Sequence, residues 1–234
     1  MLLTRPKIFF SFGFIIILTL YLTKCAKTND VDPILIDDIN SNDSTNTIFS
    51  EDTIYINLNI NGFILNEVLY DPPSGIAGDA NNDGIRDPQQ DEFVEFVNST
   101  DSCIDISKCK IFDDDSFNTL IPKHKFPDKC FVNPTQAVVV FGGPQGINFD
   151  SLQFGDALVF SASESLLNLN NSGDKMFFTD SLNNIIIEFD ITPLSNNPDE
   201  SYTRSPDING FFEQHSEVSS TLFSPGTRAD GTPF

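Results

Sequence analysis

Asp79, Asn81, Asp83 and Asp87 stand at the first, third, fifth and ninth places of the run Asp79-Ala80-Asn81-Asn82-Asp83-Gly84-Ile85-Arg86-Asp87. Oxygen-bearing side chains at these places can wrap one hard cation, with Gly84 permitting the sharp bend and Ile85 offering its backbone carbonyl. Gln90 occupies the twelfth place, where such a loop carries a bidentate Glu. Asp91 and Glu92 are therefore the nearest residues able to complete the shell. The chemistry predicted is calcium binding, with Ca2+ the expected ion. A bare Asn-Asp-Gly turn needs no metal, but four oxygen-bearing side chains exceed what a turn requires.

The alternative chemistry is hydrolysis assisted by a divalent metal on the same loop, and that requires a general base. His124 and His215 are the only histidines. Neither sits in a catalytic motif, and His124, between Lys123 and Lys125, is expected in a solvated loop. No Gly-x-Ser-x-Gly, His-Glu-x-x-His or phosphate loop occurs. The expectation is a chain that is not an enzyme and has no catalytic residues. Arg204 and Arg228 are expected to form internal ion pairs with Asp207 or Asp230.

Two strand-like runs position the loop: Phe63-Ile64-Leu65-Asn66-Glu67-Val68-Leu69-Tyr70 before it and Glu92-Phe93-Val94-Glu95-Phe96-Val97 after it. Glu92 and Glu95 are three apart, so a regular strand sends them to opposite faces and both should not bind one ion. Glu67 is then the better partner for whichever faces the first strand. Further strands are predicted at Ala137 to Phe141, Ala157 to Phe160, Lys175 to Thr179 and Ile185 to Phe189, each bounded by turn residues. Asn171-Ser172-Gly173-Asp174 and Asn183-Asn184 read as hairpin turns. Ile54, Ile56, Leu58 and Ile60 alternate with Tyr55, Asn57 and Asn59, marking an added edge strand or part of an extended linker. No helical periodicity lasts ten residues beyond the first 24, so the fold class is all-β.

Several fragments, in order, resemble the lamin tail domain family in its bacterial form. They are Asn66-Glu67-Val68, the Asp-x-Asn-x-Asp-Gly loop, Asp91-Glu92-Phe93-Val94-Glu95 and Ile104-Asp105-Ile106-Ser107. The likeness continues through Phe126-Pro127, Val138 to Gly143, Leu167 to Asp174, Ser201 to Asp207 and Ser224 to Phe234. The resemblance covers roughly Ile60 to Phe234 and implies an immunoglobulin-like β-sandwich. Bacterial lamin tail domains are often attached to nucleases or phosphatases, and no such second domain is evident here. Where the family commonly has a core Trp, this chain has Lys108 and Cys109, and it contains no Trp.

Arg5 and Lys7 precede an apolar run from Ile8 to Leu22, and Leu22-Thr23-Lys24-Cys25 resembles a lipobox with Cys25 as the lipidated residue. An uncleaved N-terminal anchor is the alternative. Either reading places the chain in a bacterial cell envelope, periplasmic or at the surface, with the membrane as one partner. The organisation expected is a lipoprotein signal peptide over 1–24, a flexible Asp/Asn/Ser/Thr-rich tether over 25–53 and the sandwich over 54–234. The formal charge of −21 becomes −24 once Arg5, Lys7 and Lys24 leave with the signal. So acidic a surface repels phosphate backbones, and nucleic acid is not an expected partner. An oxidising compartment favours one disulfide among Cys103, Cys109 and Cys130; alternatively, Cys109 simply fills the Trp position as a small buried apolar group.

Overall fold

The structure, a computed structural model, describes residues 60–196 and 198–234. Cys25, the signal, the tether and all of the alternating run except Ile60 lie outside the described residues. The strands are β1 (Phe63–Leu69), β2 (Phe93–Asn98), β3 (Ile104–Asp105), β4 (Lys110–Asp113), β5 (His124–Lys125), β6 (Phe131–Val132), β7 (Ala137–Phe141), β8 (Leu158–Ser161), β9 (Lys175–Thr179), β10 (Ile185–Asp190), β11 (Tyr202–Ser205) and β12 (Phe211–Gln214). Two short helices, α1 (Asp114–Thr119) and α2 (His215–Val218), interrupt them. No helix among the described residues is long and apolar enough to cross a membrane.

The strands form a six-stranded sheet in the order β12-β11-β1-β2-β7-β8, a four-stranded sheet β10-β9-β4-β5, and the small pair β3-β6. Phe63 and Phe96 of the large sheet meet Phe178 of the smaller one, with ring centroids 5.2 and 5.1 Å away. The molecule is therefore an all-β sandwich. β2 and β7 are buried at every position, because the outer face of the large sheet is also covered. Leu69, Phe93, Val97, Val139 and Phe141 form a second core there with Phe154 and Ala157. Continuous apolar runs, not strict alternation, are what burial of both faces requires.

One irregularity in β1 decides where its side chains go. Its register with β2 shifts between Leu65 and Glu67, so Asn66 is a bulge residue and the alternation changes phase. Leu65 and Val68, three apart, both enter the inner core, while Glu67 and Leu69 fall on the outer face.

Several sequence expectations are corrected. Asn183-Asn184 does join the antiparallel pair β9 and β10. Asn171-Asp174, by contrast, is a turn closed by Gly173 N–H on Asn170 C=O at 3.0 Å, and it joins no hairpin, because β9 pairs with β10 and β4. Cys103 is disulfide-bonded, but its partner is neither Cys109 nor Cys130. Cys109 and Cys130 are both free, and any pair drawn from the three needs one of them. Each is buried in the inner core, where burial pushes its thiol up to about 12, leaving almost no thiolate to oxidise. His124 is not in a solvated loop. It is buried in β5, edge-on to Phe126 with centroids 4.5 Å apart.

Candidate functional site

In the acidic loop, short side chains fold back on their own backbone. Asp79 Oδ1 accepts from Asp83 N–H at 3.1 Å and its Oδ2 from Gly84 N–H at 2.9 Å. Asn81 Oδ1 also accepts from Asp83 N–H, at 2.9 Å, and Asp83 Oδ1 from Ile85 N–H at 2.8 Å. These are the local turns that Asp and Asn favour over regular structure. Gly84 has φ 89, a left-handed conformation in which a side chain would be strained. Arg86 ties the loop to the preceding segment by donating to Pro72 and Pro73 carbonyls.

Asp91 lies beneath the loop, fully buried, and joins its two ends. Oδ1 accepts from Asn81 N–H at 3.1 Å and Oδ2 from Asp87 N–H at 2.7 Å. Burial raises its pKa despite these donors. Asp87 points its Oδ1 at the N–H groups of Gln89 and Gln90, 2.9 and 3.0 Å away. Glu92, adjacent to Asp91, turns to the other side, where Oε2 accepts from Leu169 N–H at 3.0 Å. The structure thus gathers Asp79, Asn81 and Asp83 in one turn over Asp91, with the Ile85 side chain exposed, and engages Asp87 and Glu92 elsewhere. The donors are hard oxygens, the kind calcium takes. Among the described residues, no three His, Cys, Asp or Glu side chains converge as a metal-holding group.

A second constellation was only partly anticipated. On the outer face of the large sheet, Glu67 and Glu95 are register partners across β1 and β2, and both are 0% exposed. Glu67 Oε1 accepts from Ser201 Oγ at 2.7 Å and Ser224 N–H at 2.9 Å. Glu95 accepts from Asn66 Nδ2 at 3.0 Å and Gly226 N–H at 2.6 Å. Asn66, the bulge residue, also donates to Asp207 and accepts from Ile208 N–H. Burial raises the pKa of Glu67, opposed by the His215 charge and the serine donors. Burial and then the Glu67 carboxylate hold Glu95 well above its ordinary value.

The proton inventory around Ser224 links these acids to His215. His215 Nδ1 lies 2.8 Å from the Thr221 carbonyl, which only accepts, so Nδ1 carries a proton. Nε2 is 2.9 Å from Ser224 Oγ, which is 2.7 Å from Glu67 Oε2. Ser224 has a single hydroxyl proton. Two placements satisfy all three contacts: imidazolium with ionised Glu67, or neutral His215 with protonated Glu67, the serine reversing its donation between them. Either way the Glu67–His215 pair carries no net charge.

The two arginines are not ion-paired with these acids. Arg204 donates to the Leu65 and Gly210 carbonyls and stacks 4.6 Å from the Phe212 ring. Arg228 donates to the Pro233 carbonyl and lies 5.1 Å from the Phe234 ring. Backbone carbonyls and aromatic faces take the guanidinium groups because Asp207 is committed to Asn66 and Ala229 N–H. The all-β sandwich with this buried acidic seam was compared with family models and with curated proteins, and none matches.

Proposed function

We propose that the chain is a membrane-anchored lipoprotein of the bacterial cell envelope, held through Cys25, whose lamin-tail-like, immunoglobulin-like sandwich is a non-catalytic structural and interaction module steadied by calcium. The observation that carries this reading is the fate of the buried acids. Glu67, Glu95 and Asp91 spend their oxygens on N–H and O–H groups of Asn66, Asn81, Asp87, Ser201, Ser224 and Gly226, joining distant segments of chain. Such carboxylates act as internal ties. Calcium is assigned to the turn of Asp79, Asn81 and Asp83, whose hard donors suit it, with Asp87, Asp91 and the Ile85 carbonyl as the nearest further oxygens.

One cleft favours the rival, a divalent-metal-dependent hydrolase. Glu92 and Asp71 line the same cavity of about 380 Å³ with Gln89, Asn168 and Asn171. Burial pushes Glu92 up to about 8, a value suited to a general acid. Asp71 is engaged by Asn171 Nδ2 at 2.6 Å, and no nucleophile or base with a recognised motif accompanies the pair. Proximity labelling on intact cells, comparing the wild type with Cys25→Ala, tests the proposal. A reproducible set of envelope neighbours that Cys25→Ala loses supports it. Metal-dependent turnover of ester, phosphodiester or peptide substrates, abolished by Glu92→Gln, would establish the rival.

A further inference from the structure

The sandwich closes unequally on its two sides. On one, Phe189 and Phe212 meet with centroids 4.8 Å apart and join the edges β10 and β12. On the other, β5 and β8 are both edge strands, and a cleft of about 540 Å³ runs between them. Val159, Phe160 and Ser161 of β8 and His124 and Lys125 of β5 all line it. Consecutive strand residues point to opposite faces, so all can border one cavity only if it follows the strand edges. The Ser163 hydroxyl, accepting from Lys125 N–H at 3.0 Å, shuts one end, and the loop Gln145–Phe149 forms a wall.

Two features mark this cleft as built to receive something. His124 is 2% exposed, and neither ring nitrogen has a hydrogen-bond partner. The Ser161 backbone lies close enough to favour the protonated ring, but neither nitrogen makes a full hydrogen bond to it. A buried imidazole without partners destabilises the fold, so its retention at a cavity wall calls for a polar occupant. The lining also contains Lys125 and no Asp or Glu, in a chain with 34 acidic residues and 13 basic ones. Cavities elsewhere on the sandwich do contain acids, Asp113 and Asp174 in one, Asp71 and Glu92 in a second and Asp156 in a third.

We infer that this cleft binds an extended acidic peptide segment of a partner protein, which adds as a strand to the free edge of β8 and places polar groups against His124 and Lys125. β8 spans four residues, about 13 Å of strand. Pairing along it would use backbone hydrogen bonds, while Phe160, Val159 and Ile147 would meet alternate apolar side chains. The inference rests on the reading of the sandwich as an interaction module and supplies the chemistry of its partner.

The test uses the full chain and an acetylated, amidated hexapeptide alternating Val and Glu, titrated by calorimetry, with the peptide mass checked afterwards. Saturable binding is expected, weakened at least tenfold by Lys125→Glu and by His124→Phe, and lost when alternate peptide nitrogens are methylated. His124→Phe should not lower the melting temperature, which separates lost recognition from misfolding. Three results would overturn the inference: absence of binding, equal affinity for the Lys125→Glu variant, or preference for a Val-Lys peptide. Cleavage of the peptide would instead reject the underlying non-catalytic reading.

Discussion

Glu67 and Glu95 face each other as partners across β1 and β2, with neither carboxylate exposed to solvent. Like charges directly opposite on a sheet repel, and burial removes the water that would screen them. The arrangement persists because residues 201–226 supply donors to both and because His215, through Ser224, keeps the Glu67 side neutral overall. The seam thereby couples the last segment of chain to the centre of the large sheet.

Glu67→Gln should be tolerated, since its amide can accept from Ser224 N–H and donate to Ser224 Oγ, reproducing the neutral-histidine placement. Glu67→Ala should cost roughly 3 kcal/mol or more, because Ser201 and Ser224 lose their acceptor inside the protein. Urea unfolding of both variants checks this. A Glu67→Ala protein as stable as Glu67→Gln would mean that water replaces the carboxylate and the seam is not closed.

Glu92 should set the alkaline side of the stability profile. Its pKa rises from an ordinary 4.5 to about 8 through burial, against the Leu169 and Asn168 N–H donors. The folded state then holds this proton where the unfolded chain has released it, so stability falls as pH climbs from about 4.5 to about 8. The upper bound is on the order of 5 kcal/mol. Glu92→Gln should flatten the profile across that window and raise the melting temperature at pH 8. An unchanged slope would assign the effect to Glu95 and Glu67 instead.

Cys109 and Cys130 should resist a thiol reagent in the folded protein and react fully in denaturant, since burial pushes both thiols up to about 12. Mass spectrometry of maleimide-treated protein reads this out. Rapid modification of the native chain at either residue would show that the inner core opens there.

The strands around the loop were legible because Phe, Ile and Val crowd at β1, β2 and β7, and the ends of β7 and β9 follow from their flanking turn residues. The very short β5 and β6 were not. Two-residue strands leave no periodicity, and His124, read from its flanking lysines, gave no sign of the Phe126 and Phe160 rings around it. The helix α1 was hidden for a related reason: Asp113 and Ser116 build a capping box for a helix of only 6 residues, too short to repeat an apolar face. In the site, the oxygen-rich turn was visible as a motif, whereas the buried seam depends on partners 131 to 157 residues away. Its one local trace was an acid placed inside each of two apolar strands.

The calcium-steadied module is tested most directly by thermal melts of the purified protein in chelator and in millimolar calcium. Calcium that binds the folded turn but not the unfolded chain, at about 100 times its dissociation constant, should add about 2.7 kcal/mol. The melting temperature should rise, Asp83→Ala should lose most of that rise, and Asp128→Ala, an exposed residue 3.7 Å from Lys108, should keep it. Equal melting temperatures with and without calcium would contradict the account and leave Asp79 to Asp87 as a turn closed by its own side chains.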